Sequence, residues 1–488
     1  MATLKDKTDV LVIGGGPAGS TASTLLAQQN IDVVCLERDV FPRYHVGESL
    51  LPSALEVFDL LGVRQQMEAA DFVRKPGAQA DWGGERWRLN FGELSGDHLY
   101  SFQVERAEFD RILLENARDQ GADVFEGHQV TSIDWQDGRC HRAHWANREG
   151  TETGTVEFDF LVDASGRAGL IPTRYRRSRT YHQAFKNVAI WGYWVDIDEG
   201  DDDFLGAIRF SSIPDGWIWV IPLRAGVTSV GLVVHKDHYQ ARRQQGLHDI
   251  YIDGIRESDF AARIIDPGRL VSNLKMETDY SYGSSSFSGP NYYICGDAAC
   301  FLDPLLSTGV HLATFSGMLA AAAIGTITRG DLEAERCRNF FEATYQKAYL
   351  RLLVMVSAFY DQNRGARGYF WEAQRLTQGD IAGFDMKLAF TQLVSGEADL
   401  DESSKIGSLS KIQSAVAARL RENIELRQDK TALADMLTDD GQQDRITGSH
   451  TFMNQVEGIF ALSPHDSVDN IYLVTKPRLG LAEVTAAP

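Results

Sequence analysis

The stretch Asp9-Val-Leu-Val-Ile-Gly-Gly-Gly-Pro-Ala-Gly-Ser20 decides the fold of this chain. Its apolar run Val10–Ile13 predicts a buried β-strand, and the segment from Ser20 to Gln28 predicts a helix. Between them stands the motif Gly14-x-Gly16-x-x-Gly19. The first glycine permits a tight turn, the second lets the backbone approach a pyrophosphate, and the third lets helix and strand pack closely. The N–H groups that begin the helix are free to bind phosphate.

A second apolar run, Asp32–Leu36, follows the predicted helix and ends in Glu37. A carboxylate about twenty residues after the glycine motif can accept hydrogen bonds from a ribose diol. The order of these elements is therefore that of an adenine-dinucleotide site: a strand, a glycine turn, a helix, a second strand and an acidic residue. At this point the motif fits both FAD and NAD.

The size and charge of the chain exclude several classes of protein. With 488 residues the chain is too long for one core, and we expect two or three lobes. A net charge of −20 argues against nucleic acid as a partner, because phosphates would be repelled. The five cysteines are odd in number and lack metal-ligand spacing, which favours a reduced, cytoplasmic compartment and no metal site.

Membrane association is also not expected. The N-terminus is short and polar and has no signal-peptide core. Residues Gly309–Ile327 are small and apolar enough to resemble a span. Because no flanking charges support a span, we predict a buried helix there and no transmembrane segment.

The pattern along the chain predicts an α+β protein with α/β character. Residues 129–156 alternate as an antiparallel meander, and residues 181–280, rich in Trp, Val, Ile and Phe, predict a second, mixed sheet. A helix is predicted over Glu333–Tyr360. We assign three domains. The discontinuous dinucleotide domain comprises residues 1–70, 101–175 and 286–330, and the β-sheet substrate domain comprises residues 71–100 and 176–285. The helical C-terminal region comprises residues 331–488.

A late strand and one arginine favour FAD over NAD. Asn291-Tyr-Tyr-Ile-Cys-Gly-Asp297 reads as a buried strand followed by Gly-Asp, and Asp297 can accept a hydrogen bond from a ribitol hydroxyl. Together with Arg106 and the glycine motif, this segment resembles the flavoprotein monooxygenase superfamily. That resemblance implies a glutathione-reductase-type FAD-binding domain, with Arg106 and Asp297 contacting FAD.

Four further motifs resemble those of flavin-dependent halogenases, and two other segments, residues 228–233 and 279–283, resemble halogenases of phenols and of carrier-bound pyrroles. Trp217-Ile-Trp-Val-Ile-Pro222 matches a W-x-W-x-I-P element, and Arg74-Lys-Pro-Gly-Ala78 resembles the segment that holds an essential lysine. Asp303–Gly309 resembles the halide loop, and Phe41–Pro52 resembles the flavin-gating loop.

The resemblance implies a role for each site residue. Lys75 would hold hypohalous acid or carry a chloramine, and Ser307, Thr308 and Gly309 would bind the halide. Trp217, Trp219 and Pro222 would separate flavin from substrate. The residues implied to contact FAD are Gly14, Gly16, Pro17, Ala18, Gly19, Glu37, Arg38, Arg43, Gly47, Glu48, Ser49, Arg106, Asp297, Pro304, Gly309 and Val310.

One position departs from tryptophan halogenases, which carry a glutamate just before the Ser-Thr pair of the halide loop. Here that position is Leu306, which can neither hydrogen-bond the halogenating species nor accept a ring proton. We therefore expect a more activated substrate, a phenol or a pyrrole.

The sequence thus predicts an enzyme that uses FADH₂ and O₂ to convert chloride or bromide into hypohalous acid and halogenates an electron-rich aromatic in natural-product biosynthesis. A separate reductase would supply FADH₂, because no second dinucleotide motif is present. The aromatic would be free or tethered to an acyl or peptidyl carrier protein. Two alternatives stay open here: an aromatic hydroxylase that uses NAD(P)H directly, and a degenerate flavin-binding subunit without activity.

Overall fold

A computed structural model describes residues 4–91, 100–182, 185–198, 204–278, 280–361 and 467–484. Nine α-helices lie within these residues: α1 Pro17–Ala27, α2 Ser53–Leu61, α3 Arg64–Ala69, α4 Arg106–Asp119, α5 Lys236–Arg242, α6 Leu247–Arg256, α7 Asp259–Ile265, α8 Gly309–Arg329 and α9 Ala334–Asp361. The strands of the same residues are β1 Lys7–Ile13, β2 Val33–Glu37, β3 Val73–Lys75, β4 Gly77–Trp82, β5 Glu85–Asn90, β6 Ser101–Gln103, β7 Asp123–Glu126, β8 His128–Gln136, β9 Arg139–Asn147, β10 Thr153–Asp163, β11 Arg179–Tyr181, β12 Asn187–Val195, β13 Ile208–Ile213, β14 Gly216–Pro222, β15 Thr228–His235, β16 Arg269–Leu270, β17 Lys275–Thr278, β18 Tyr282–Ser284, β19 Ser288–Gly289, β20 Tyr292–Ile294, β21 Cys300–Phe301, β22 Ile471–Val474 and β23 Gly480–Glu483.

The first large sheet contains the glycine motif. Its order is β19-β20-β10-β1-β2-β7, and β1 runs parallel to both β10 and β2. Strands β8 and β9 join β10 as the predicted antiparallel meander. The predicted first helix is confirmed as α1, but it begins at Pro17 rather than Ser20. Proline is favoured in the first helical turn because its missing N–H would have no partner there.

The second large sheet confirms the predicted mixed sheet. Its order is β16-β12-β15-β14-β13-β4-β5, with β17 paired to β12, and β13 and β4 form its parallel pair. Alternate residues face opposite sides of a strand, so Trp217 and Trp219 of β14 share one face. That face packs into the main core, whereas Ile218 and Val220 pack into a second core formed with helices α6 and α7.

Two smaller pairings position the candidate lysine. Strand β3 pairs with β6 apart from the second large sheet, with Lys75 opposite Ser101. The next strand, β4, joins the second large sheet through β13. Lys75 therefore ends a short ribbon just before the chain enters that sheet.

Helix α8 is the predicted buried helix. It is long and apolar enough to cross a membrane by length and composition, but 94% of its apolar window is buried inside the protein. Gly317 lies so close to α1 that an added Cβ would stand 2.4 Å from the Ala18 carbonyl oxygen. The helix is therefore a packing partner of the glycine-motif helix.

The predicted C-terminal helix is confirmed as α9, and residues 362–466 lie outside the described residues. The chain end adds a β22–β23 hairpin that the sequence did not predict. The Leu481 N–H donates to Thr326 Oγ1 at 2.8 Å, and Leu473 and Leu481 are buried. The hairpin thus packs against α8.

Candidate active site

The glycine turn leaves open space on one side. An added Cβ on Gly14, whose φ is +102°, would lie 2.3 Å from the Ala164 carbonyl oxygen, and one on Gly19 would lie 1.8 Å from the Gly14 oxygen. At Gly16 the nearest atom would be Nη2 of Arg43, at 3.4 Å. Gly14 and Gly19 are therefore required by the fold, whereas an added Cβ at Gly16 would meet only the end of the Arg43 side chain.

Glu37 holds this turn at the end of β2. Its Oε2 accepts a hydrogen bond from the Gly15 N–H at 2.6 Å, and its Oε1 accepts one from the Asp39 N–H at 2.8 Å. The carboxylate is buried beside the turn, where a ribose diol would reach it. The neighbouring Arg38 points away: its side chain is 61% exposed and lies 3.5 Å from Asp39.

A buried ion cluster fixes the predicted gating loop, residues 41–52, to α4. Arg106 donates to both carboxylate oxygens of Asp110, at 2.8 and 3.0 Å, and to the Val46 carbonyl at 2.7 Å. Arg43 approaches the same carboxylate at 3.1 Å. Two guanidinium groups thus compensate one desolvated carboxylate. The nearby His45 stays neutral because burial, with Arg106, lowers its pKa to about 4.

The turn Gly47-Glu48-Ser49 packs against the second large sheet. Glu48 is buried and accepts a hydrogen bond from the Tyr193 hydroxyl at 2.6 Å. It also bonds the Ser229 side chain, while burial raises its pKa. Ser49 pairs with Gln103 of β6. Glu48 is therefore shared between the gating loop and the second sheet.

Asp297 lies in a short 3-10 turn, Gly296–Ala298, directly after β20. The predicted buried helix follows as α8, which begins at Gly309, and β21 and the short turn Pro304–Leu306 lie between it and Asp297. Burial raises the Asp297 pKa to about 6, although Arg106 and two other arginines oppose the shift. Within the described residues no hydrogen-bond donor reaches its carboxylate, so it can accept one from a ligand hydroxyl.

The halide loop forms a second short turn, Pro304–Leu306, at the start of α8. Asp303 caps it by accepting the Leu305 N–H at 3.1 Å. Ser307 adopts the left-handed conformation, with φ +57°. Thr308 is the N-cap of α8, whose first residues are Gly309 and Val310. The predicted halide residues therefore lie at a helix N-terminus, where peptide N–H groups attract anions.

A buried network joins this loop to the tryptophan motif. The Trp217 Nε1–H donates to the Tyr360 hydroxyl at 2.9 Å, and that hydroxyl bonds the Asp303 carboxyl. Asn187 Nδ2 donates to Asp303 Oδ2 at 3.3 Å. Burial raises the pKa of Asp303 to about 6. Trp219 instead donates to the Ser229 hydroxyl at 3.3 Å.

Pro222 lies apart from this network. It borders a surface hollow of about 710 Å³ beside β3, together with Phe72, Arg74 and Arg224. The structure therefore places Pro222 on the outer side of the ribbon that contains Lys75.

Lys75 is a buried lysine, 2% exposed, and is not the surface lysine of most strands. Its ammonium donates to the Leu50 carbonyl of the gating loop at 2.8 Å. The Phe91 ring centroid lies 5.5 Å from its Nζ. A positive charge is thus held between the loop and an aromatic ring.

The residues between these groups fit a bound FAD. Ser49 Oγ, Ser101 Oγ and Gln103 Oε1 are buried and lack a hydrogen-bond partner among the described residues. They lie on neighbouring segments, because Ser49 bridges Gln103 and Ser101 opposes Lys75. A buried polar atom without a hydrogen-bond partner costs free energy, and a polar ligand would supply the missing hydrogen bonds. The described residues contain no His, Cys, Asp and Glu cluster that could hold a metal.

Sequence reasoning missed four residues of this site: Tyr44, Asn187, Tyr193 and Tyr360. Tyr360 lies on α9 and Asn187 on β12, and neither belongs to a motif. The alternation of Trp191 and Tyr193 along β12 predicted a sheet face but gave no signal of a contact with the gating loop.

Comparisons with known proteins show the family to which the chain belongs. The tryptophan halogenase family matches residues 9–99 and 95–394. The chain is 40% identical to the tryptophan 2-halogenase of Chondromyces crocatus, over 98% of this chain and 94% of that protein. It is 34% identical to the sulochrin halogenase of Aspergillus terreus, over 84% and 79%. Among solved structures, the myxobacterial chondrochloren halogenase CndH is 33% identical with a TM-score of 0.73, covering 85% of this chain and 97% of that one.

Proposed function

Because this chain belongs to the tryptophan halogenase family and is a flavin-dependent halogenase, we propose that it halogenates an electron-rich aromatic ring, a phenol or a pyrrole, with chloride or bromide. The observation that carries this proposal is that, among the described residues, the predicted halide loop has no free base. Leu306 occupies the position that precedes Ser307 and Thr308. The adjacent carboxyl, Asp303, is already bonded by Leu305, Asn187 and Tyr360.

An activated ring needs less help from the protein. A phenol or pyrrole stabilises the cationic ring formed by electrophilic attack, and its ring proton is lost readily to water. The benzo ring of an indole is less activated and benefits from a positioned carboxylate. A site without that carboxylate therefore favours activated rings.

Some residues of the chain would bind the cofactor and the halide, and others would direct the oxidant toward the substrate. When bound, reduced FAD would give two electrons to O₂, which would take two more from the halide and so convert it to hypohalous acid. Gly16 and the start of α1 would bind its phosphates, Glu37 its ribose and Asp297 its ribityl chain. The α8 N-terminus at Thr308 and Gly309 would hold the halide.

Lys75 would then hold and direct the oxidant. Its burial keeps bulk water away, and its ammonium can hydrogen-bond hypohalous acid or, when deprotonated, form a chloramine. Trp217 and Trp219 are buried on the same face of β14 and would block direct contact between flavin and substrate.

A second candidate substrate is tryptophan itself, attacked at C2. The Chondromyces crocatus relative is a tryptophan 2-halogenase and spans nearly all of this chain. C2 belongs to the pyrrole ring of indole, so the argument from Leu306 applies to it as well. We also propose that the substrate is tethered to a carrier protein and that a separate flavin reductase supplies FADH₂. The protein would act in the cytoplasm.

The test is turnover with a flavin reductase, FAD, O₂ and each halide on a panel of a phenol, a pyrrole and tryptophan, followed by mass spectrometry. We expect halogen on the phenol, on the pyrrole or at C2 of indole. Lys75→Ala should reduce product at least about 100-fold while flavin fluorescence shows unchanged FAD binding. The matched control is Lys7→Ala, whose side chain is 65% exposed. Halogen on the indole benzo ring, or hydroxylated product without halide, would contradict the proposal.

A further inference from the structure

Glu48 lies where two neighbouring strands of the second large sheet offer it hydroxyl groups. Tyr193 and Ser229 are direct cross-strand partners of β12 and β15, so their side chains leave the same face of the sheet. The Tyr193 hydroxyl lies 2.6 Å from Glu48 Oε1, and the Ser229 side chain bonds the same carboxyl. Glu48 itself is 4% exposed. The Glu48 carboxyl is thus buried and hydrogen-bonded to both hydroxyl groups.

From Glu48 a chain of hydroxyl groups leads to solvent. The Tyr193 oxygen lies 3.1 Å from the Tyr44 oxygen, and Tyr44 is 48% exposed. Each phenol has one proton, so whenever Tyr193 donates its proton to Glu48, its oxygen can accept the proton of Tyr44. Trp191 Nε1 donates to the Tyr44 oxygen at 2.7 Å and so leaves the Tyr44 proton free to point inward. In that arrangement every donor in the chain of hydroxyl groups faces from solvent toward Glu48.

The reaction consumes a proton at the flavin. Its balance is FADH₂ + O₂ + X⁻ + H⁺ → FAD + HOX + H₂O, in which O₂ is reduced by four electrons, two from FADH₂ and two from the halide. A closed site that excludes water must still admit this proton in every turnover. A positioned acid linked to solvent would meet that need.

We propose that Glu48 supplies this proton and is recharged from solvent through Tyr193 and Tyr44. In recharging, the Glu48 carboxylate gains an O–H bond from Tyr193, Tyr193 regains its proton from Tyr44, and Tyr44 regains its proton from water. Tyr193 and Tyr44 are positioning residues that act through Glu48. The proposal rests on the proposed flavin site beside the gating loop.

The charges around Glu48 suit this role. Burial raises the pKa of its carboxyl, and Glu105 adds to the shift. Arg106 and the hydroxyl groups of Tyr193 and Ser229 lower it. The carboxyl therefore retains its proton to higher pH than a free glutamate.

The first test needs no flavin. Infrared spectra of the apoprotein are compared with those of Glu48→Gln to assign the carboxylic-acid C=O band, and the band is followed after transfer to D₂O. We expect Tyr193→Phe to slow the hydrogen–deuterium exchange of this band and to raise the pKa at which it disappears, since a donor to the ionised form is lost. The control Tyr239→Phe, on α5, should leave both unchanged.

The second test mixes enzyme-bound FADH₂ with O₂ and halide in a stopped-flow instrument. We expect Glu48→Gln and Tyr193→Phe to slow flavin reoxidation at least about tenfold, with a larger solvent isotope effect and an altered pH profile. Tyr44→Phe should have a smaller effect because it is nearest to water. Unchanged reoxidation and exchange in Tyr193→Phe would overturn the proposal.

Flavin binding separates this proposal from the function on which it rests. We expect Tyr193→Phe and Tyr44→Phe to bind FAD as the wild type does. Loss of FAD binding in both would overturn the relay and assign these tyrosines to cofactor retention. Failure of the wild type to bind FAD would instead refute the proposed flavin site, whatever the infrared result.

Discussion

Replacing Tyr360 by phenylalanine should loosen the halide loop through a single oxygen atom. That oxygen accepts the Trp217 Nε1–H at 2.9 Å and bonds the Asp303 carboxyl. Tyr360, Trp217 and Asp303 are each about 1% exposed, so water cannot replace the lost partner without rearrangement. The substitution keeps the ring and its packing against Phe185.

The magnitude follows from the two groups left behind. A buried indole N–H without an acceptor costs about 1–3 kcal/mol, and loss of a hydrogen bond to a charged carboxylate costs about 1.5–3 kcal/mol. We expect a loss of unfolding free energy of about 3–5 kcal/mol when Asp303 is ionised.

The loss of unfolding free energy caused by Tyr360→Phe should depend on pH. The folded pKa of Asp303 is raised from 3.8 to about 6, so the stability linked to its protonation is present below 3.8 and is lost as the pH rises through 6. Removing the Tyr360 donor raises this pKa further. The difference in stability between Tyr360→Phe and wild type should therefore be larger at pH 8 than at pH 5.

Urea unfolding followed by tryptophan fluorescence at pH 5 and pH 8 measures this difference, with Tyr239→Phe as the control. Combining Tyr360→Phe with Asp303→Asn gives the coupling between the two groups, expected at about 1.5–3 kcal/mol. In turnover, the halide KM should rise more than kcat falls, because the loop shape changes and Lys75 does not. A stability loss below about 1 kcal/mol at pH 8, or a coupling near zero, would refute the reasoning.

Two further predictions concern the glycine motif and the buried ion cluster of Arg106, Arg43 and Asp110. Gly19→Ala should prevent folding or leave insoluble protein, because its Cβ would lie 1.8 Å from the Gly14 oxygen, whereas Gly16→Ala should fold with wild-type circular dichroism and lose FAD affinity. Equal FAD binding by Gly16→Ala and wild type would contradict the assigned phosphate position. Asp110→Asn should cost about 3–5 kcal/mol in urea unfolding, because Arg106 and Arg43 lose their shared carboxylate. Arg111→Gln, on the exposed side of α4, is its control, and equal losses in both variants would argue against the buried cluster.

The sequence predicted the parts of the fold whose signal is local. The glycine motif, its flanking strands and Glu37 lie within one βαβ unit, and spacing alone implies their contact. The apolar length of α8 predicted a buried helix for the same reason. Its start was placed correctly at Gly309, but β21 and the short turn Pro304–Leu306, which lie between Asp297 and α8, have no periodicity from which they could be predicted.

The polar network of the site could not be read in this way. Trp217 and Tyr360 are 143 positions apart, and Glu48 and Tyr193 are 145 positions apart. Each of these tyrosines resembles any aromatic residue of a core strand or helix, and its hydroxyl partner is decided by how the second sheet packs on the gating loop. A single sequence contains no pattern for such a contact.

The β22–β23 hairpin holds the two long helices of the protein. The Leu481 N–H of the hairpin donates to Thr326 of α8, and Glu483 pairs with Arg336 of α9. Leu473 and Leu481 of the hairpin are buried. Helix α8 begins just after the predicted halide loop, and α9 contains Tyr360, whose hydroxyl bonds the Asp303 carboxyl of that loop. The hairpin therefore stabilises, through contacts outside the site, the helix pair that positions this loop.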